Sequence, residues 1–256
     1  MELKSEEAVF SPEKKSAKIE IQHDIYRQFY PAYEGYTEVV DALNAEMGNG
    51  RIDLISENDI AVEFEDWFTS EKLEYLVSAQ ETDPDLRFTL VATPNVFANH
   101  ADIIKSAKAF GDEQPFETYT WDELLGEYTV AQLSGTKPEN GKTVVFSLIP
   151  NKYDPEMNGT ALDQMKKLAE LQIQTPELKV PSVLEAVSYW YTLRAQGDSL
   201  DDDSAMVKTY IRHFDLPEYY KGYLPSIPAS GIVGNGKSYL SYADAGKTGN
   251  TRISLG

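Results

Sequence analysis

FTLVATPNVF at residues 88–97 and VVFSLIPNKY at 144–153 are the most strand-like stretches of the chain. Both run from β-branched and aromatic residues into Pro-Asn-x-aromatic, and Pro and Asn end strands well. Their apolar runs are nearly continuous, as in strands buried on both faces. A helix signal lies between them. Asn99 and Asp102 supply cap chemistry, Ile103, Ile104, Ala107 and Phe110 fall on one face, and Gly111 ends the run. Strand, helix, strand in that order reads as a βαβ unit. Residues 1–152 are therefore expected to form an acidic α/β region with a mixed, mostly parallel sheet and flanking helices.

Working outward toward the N-terminus, RIDLIS at 51–56 reads as a strand, and Ile60, Val62 and Phe64 alternate with polar residues as a half-exposed strand would. Tyr36, Val39, Val40, Leu43 and Met47 share a helical face that ends at Gly48, and Leu73, Leu76 and Val77 do the same over roughly 70–80. The first 22 residues are ambiguous. Ser11-Pro12-Glu13 suits a helix start, whereas Ile19 and Ile21 alternate as in a strand. Thr120 and Glu123 form a capping box for a short helix.

Toward the C-terminus the pattern changes, with turn-formers at Asp154-Pro155 and Asn158-Gly159 marking a boundary near 152–158. A helical segment is expected over 153–224. Its starts are Thr160/Asp163, the capping box Ser182/Glu185, and the acids Asp201–Asp203 ahead of Met206, Val207, Tyr210, Ile211 and Phe214. A glycine-rich tail follows over 225–256, with strand-like pieces at 239–242 and 251–255. Ile232, Val233, Tyr239, Leu240, Tyr242, Ile253 and Leu255 are too apolar for a solvated linker, so the tail should dock on the body. A single composite domain fits these signals too.

Charge is the strongest global feature. The 256 residues carry 23 Lys and Arg against 42 Asp and Glu, a net −19. Residues 1–128 hold 28 of those acids against 10 bases, so nearly all the excess lies in the first half. Such a half repels phosphate backbones, which makes direct nucleic-acid binding through it a poor expectation. It suits a basic protein partner instead, unless the acids only solvate the surface. No apolar run reaches the ~18 residues of a membrane span. MELKSEEAVFSPEKKSAKIEI shows no secretory pattern, so a cytoplasmic setting is expected. The absence of cysteine excludes thiolate chemistry and Cys-based metal sites.

Motifs for chemistry are sparse. Residues 231–238, GIVGNGKS, satisfy the P-loop string. A working P-loop leaves a strand and enters a helix, but SIPAS before it is a poor buried strand and YLSYADAGKTG after it a poor helix. The acidic group Glu57, Asp59, Glu63, Glu65 and Asp66 lacks the spacing of a calcium loop, and the three histidines have no zinc spacing. No metal or cofactor is expected. Neither a GxSxG elbow nor a GxGxxG fingerprint occurs.

What remains are binding candidates. In a parallel sheet the two Pro-Asn turns and Ser56-Glu57-Asn58 would share the carboxyl edge, where α/β folds bind ligands. Asn58, Asn95 and Asn151 would then converge, with Lys152 to neutralise an anion and His100 as the one titrating group placed to act as a base. Arg212 and His213, beside Tyr219 and Tyr220, suit an anionic or aromatic ligand. Glu63, Glu65 and Asp66 with Tyr219 and Tyr220 are the candidate contacts for a protein partner. The 16 tyrosines and the absent catalytic constellations favour a non-catalytic binding or assembly protein. The alternative is a small-ligand-binding domain or enzyme built around Asn95 and Asn151.

Overall fold

A computed structural model describes residues 12–48, 51–112, 119–120, 135–152, 154–197, 211–212, 226–233, 237–244 and 251–256. Helices dominate: α1 (Pro12–Arg27), α2 (Phe29–Met47), α3 (Glu57–Trp67), α4 (Ser70–Thr82), α5 (His100–Asp112), α6 (Ala161–Gln172) and α7 (Val183–Ala195). Most begin where the sequence offers a cap. Ser56, Thr69, Thr160 and Ser182 each accept a backbone N–H from the first turn, and Thr160/Asp163 and Ser182/Glu185 close reciprocal capping boxes. Asn99 Oδ1 accepts the Asp102 N–H at 2.8 Å at the start of α5.

The strands are β1 (Phe88–Pro94), β2 (Ala98–Asn99), β3 (Tyr119–Thr120), β4 (Gly135–Thr136), β5 (Val144–Pro150), β6 (Leu178–Lys179), β7 (Ile211–Arg212), β8 (Ser226–Val233), β9 (Lys237–Asp244) and β10 (Ser254–Leu255). The central sheet has the order β1-β5-β10-β6, and every pairing in it is antiparallel. This overturns the expected mostly parallel α/β sheet. β1 and β5 are direct neighbours whose register runs from Phe88↔Pro150 to Pro94↔Val144. Among the described residues the one parallel pairing is the short β3–β9 contact in the second sheet, β3-β9-β8-β7. Strand–helix–strand order in sequence fixes element types, but the path from Pro94 to Val144 fixes direction.

Two further strand expectations fail together. Residues 51–56 are irregular and 60–64 belong to α3. Ile60 and Phe64 satisfy a helix's i,i+4 spacing as well as a strand's alternation, and the helix buries both while leaving Val62 64% exposed. Ser56, which accepts the Asp59 N–H, tips the choice. Ile211-Arg212, placed in a third helix from sequence, is a strand here, and SIPAS forms part of β8.

Successive residues of β5 divide the core. Phe146 meets Phe64 and Trp67 of α3, whereas Ser147 meets Glu185 of α7 on the opposite face. α7 is buried from Val183 through Leu193, as befits a helix apolar nearly all round. It packs against α2 so closely that a Cβ on Gly35 would lie 2.6 Å from Thr192 Oγ1 and 2.8 Å from its backbone nitrogen. β1 is a sheet edge, and Gln28 covers it. Its side-chain amide donates to Phe88 O at 3.1 Å and accepts from Leu90 N at 2.8 Å, as a neighbouring strand would. Beyond Ile173 the chain returns through β6, and residues 254–255 insert between β5 and β6.

Candidate functional site

The asparagines do not converge. Pro94-Asn95 and Pro150-Asn151 end antiparallel neighbours, so they lie at opposite ends of the ladder. Six residue steps at ~3.4 Å separate the two prolines by roughly 20 Å, and the asparagines, one residue further out at each end, by roughly 27 Å. Each is engaged in holding a turn. Asn95 accepts from Glu139 N at 2.7 Å and donates to the carbonyls of Glu139 and Lys142, while Asn151 accepts from Arg87 N at 2.9 Å and donates to Asp85 O. Asn58 follows no strand and is exposed in the first turn of α3. His100 is 1% exposed at the start of α5, closed to a ligand arriving from solvent. Arg212 lies in β7 opposite Ala229. His213, Tyr219 and Tyr220 lie outside the described residues, as do the Asp201–Asp203 triplet and the Thr120/Glu123 box beyond Thr120.

The P-loop string falls in a hairpin. Residues 231–233 end β8, Lys237 begins β9, and Val233 and Lys237 are register partners. A strand rather than a helix follows the lysine, so no helix N-terminus is there to receive a phosphate.

A buried polar group sits under α7. Ser147 donates to Glu185, Lys179 lies 2.9 Å from the same carboxylate, and the Ser182 N–H donates to its other oxygen at 2.8 Å. Burial alone would lower the Lys179 pKa, but Glu185 and Glu139 outweigh it and hold the ammonium above its ordinary value. Ser147 is 0% and Glu185 4% exposed and the amine is fixed as a cation, so no substrate reaches the hydroxyl or the carboxylate. The group closes the helix start and the sheet end; it is structural.

The acidic face is different. On α3, the exposed residues Asn58, Val62, Glu65 and Asp66 recur at helical spacing, with Glu57 and Asp59 beside them in the first turn. Tyr26 of α1 donates to Glu65 Oε2 at 2.7 Å, and that bond, helped by burial and by the Glu65 charge, raises the phenol's pKa. Tyr30 of α2 is 56% exposed; its hydroxyl bonds Glu34, which with the nearby Glu57 raises its pKa too. Glu34, Glu57, Asp59, Glu65 and Asp66 form no ion pair among the described residues. Glu63 points inward instead and accepts the Val144 N–H at 3.2 Å.

A second concavity lies on the other side of α4. A cleft of about 520 Å³ runs between α4, the start of β1, the end of β5, the end of α6 and β6. Lys152 lines it, but as the partner of Asp83 at 2.9 Å rather than of Asn151. That ammonium, through its hydrogen bond and charge, holds the Asp83 carboxyl below the ordinary range. Sequence reasoning missed Asp83, Tyr75 and Asp154 here, because the cleft joins segments far apart in the chain.

Among the described residues no set of three or more His, Asp or Glu side chains could hold a metal, and no helix is long and apolar enough to cross a membrane. Comparison of the chain with protein-family models, curated proteins and solved structures returns no match. The functional reading therefore rests on the residues themselves.

Proposed function

We propose that the protein is a non-catalytic binding protein whose α1–α3 face docks a basic protein partner. The observation that carries this reading is the set of carboxylates Glu34, Glu57, Asp59, Glu65 and Asp66, none of them paired with a cation among the described residues, around exposed Val62 and Tyr30. Carboxylates that only stabilised the fold would be expected to meet lysines and arginines of their own. An interface wants an apolar or aromatic centre inside a charged rim, and Tyr30 and Val62 within this ring supply it. Long-range attraction speeds encounter, and contact with Tyr30 and Val62 holds the complex.

The test is association of the full chain with a deca-lysine peptide, followed by stopped-flow at increasing salt. The expected result is an on-rate that falls steeply with ionic strength. The triple reversal Glu57→Lys, Glu65→Lys and Asp66→Lys should abolish binding, while Asp41→Lys, Asp85→Lys and Glu170→Lys together should weaken it only mildly. Equal losses in the two triple variants would show that net charge alone is responsible and defeat the assignment to this face. Glu63 is left intact because its bond to Val144 serves the fold.

A further inference from the structure

The cleft beside α4 combines three properties that the acidic face lacks: depth, an apolar floor and a fixed arrangement of charge. Its volume of about 520 Å³ is that of a small-molecule site. Tyr75, Phe88, Leu171 and Ile253 are among its apolar walls, with Tyr75 edge-on to Phe88 at a ring-centroid distance of 6.4 Å. The neutral polar side chains of Ser78, Thr82, Gln174 and Thr175 complete the rim.

Three charged groups line it: Asp83, Lys152 and Asp154. Lys152 reaches both oxygens of Asp83, at 2.9 and 3.0 Å, so these two neutralise each other. Asp154 is left over. Its Oδ1 accepts the Glu156 N–H at 2.8 Å, and it has no ion pair among the described residues. The Tyr75 hydroxyl makes no hydrogen bond among the described residues. Burial, with the Asp154 charge adding to it, raises its pKa, so it presents an O–H. The nearby cation Lys167, whose pKa the Asp154 charge also helps to raise, is bound by Glu156 at 2.5 Å, so the local excess remains one negative charge against an aromatic wall, inside a chain whose net charge of −19 repels anions.

We propose that this cleft binds a small amphipathic amine, its ammonium held by Asp154 over the Tyr75 ring and its apolar body on Phe88, Leu171 and Ile253. A cation above a tyrosine face and beside an unpaired carboxylate gains from both. An anion would have to break the Asp83–Lys152 pair to find a partner. The site is separate from the acidic face of α3 and stands whether or not that face docks a partner.

Calorimetric titration of the full chain with 2-phenylethylamine and with 3-phenylpropanoate tests it, since the two share an aromatic body and differ in the sign of the head. The expected result is saturable binding of the amine, with the carboxylate weaker by about tenfold or more. Asp154→Asn keeps the acceptor for the Glu156 N–H while removing the charge, and should weaken the amine by about tenfold with an unchanged unfolding midpoint. Ala79→Phe, which fills the cleft from α4, should abolish binding. Equal binding of the two probes, no binding of the amine up to about 10 mM, or full affinity in either variant would overturn the proposal.

Discussion

Asn95 and Asn151 perform one task at opposite ends of the β1–β5 ladder: each accepts a backbone N–H from the loop beside its strand end, Glu139 at 2.7 Å and Arg87 at 2.9 Å, and donates back to carbonyls of that loop. The register makes the two ends equivalent. Sliding β1 onto β5 by the offset that aligns their sequences carries the pair Phe88↔Pro150 onto Val144↔Pro94. The repeated Pro-Asn is therefore the signature of a local two-fold, with Val91↔Ser147 at its centre.

Asn95→Ala and Asn151→Ala should each cost about 1–2 kcal/mol, the net worth of two or three partly exposed hydrogen bonds. At roughly 27 Å apart their effects should add in the double variant. Urea unfolding of the singles and the double measures this. A coupling well above about 0.5 kcal/mol would mean that the two ends communicate.

Gly35→Ala should destabilise the fold by roughly 1–3 kcal/mol even though alanine favours helix. The added Cβ would meet the Thr192 nitrogen at 2.8 Å and its Cα at 2.9 Å, and backbone of a buried helix has nowhere to move. Thr192→Ala removes the hydroxyl and the methyl but leaves the backbone in place, and should not rescue it; a rescue seen in thermal unfolding would show that the side chain alone is the obstacle.

How much of this was legible depends on whether the deciding contact is local. Thr160/Asp163 and Ser182/Glu185 announce α6 and α7 because a cap involves residues three apart. The β character of 88–94 and 144–150 is equally plain, since it rests on residue type. Their direction is not, because a connection of some fifty residues can deliver the chain to either end of a sheet. Ile60-Val62-Phe64 fits both periods, and only burial of the first and third against an exposed Val62 settles it. Within the candidate sites, Glu65 and Asp66 stood out as charge, and Lys152 as a lone cation. Its partner Asp83 is 69 residues away, and Tyr75, Leu171 and Ile253 reach the same cleft from three further segments. Nothing in their sequence neighbourhoods marks them as neighbours.

Lys179 gives the stability a signature in alkali. Its folded-state pKa is raised by Glu185 and Glu139 against the opposing effect of burial. A raised pKa contributes stability that is fully present below the ordinary lysine value of about 10.4 and is lost as pH climbs through the folded value. Urea midpoints should therefore fall above about pH 10 in the native chain. Lys179→Met should flatten that fall and lower the midpoint at neutral pH, since Glu185 keeps its burial without its cation.

Arg252 works against the fold. It is 0% exposed, it donates from Nη1 to Pro150 O, and its Nε and Nη2 find no partner among the described residues; burial drags its pKa down to about 10. Arg252→Met keeps length without charge and should raise stability by about 1 kcal/mol or more. Arg252→Ala should lower it by leaving a cavity. A thermal midpoint that drops equally in both would mean that the guanidinium is held by an anion, for which Met offers nothing.

The placement of β10 between β5 and β6 sets a clock. β5 leaves the ribosome about a hundred residues before Ser254 does, which at ~5–20 residues per second amounts to roughly 5–20 s. Until then β6 has no strand to join, because its pairing with the sheet runs through β10. The flank of β5 at Leu148, where Leu255 will pair, stays open throughout that interval, within a strand of Val, Phe, Leu and Ile. The nascent chain is thus open to stray strand pairing at that edge between the emergence of Pro150 and that of Ser254, and escapes fastest when translation over that stretch is quick.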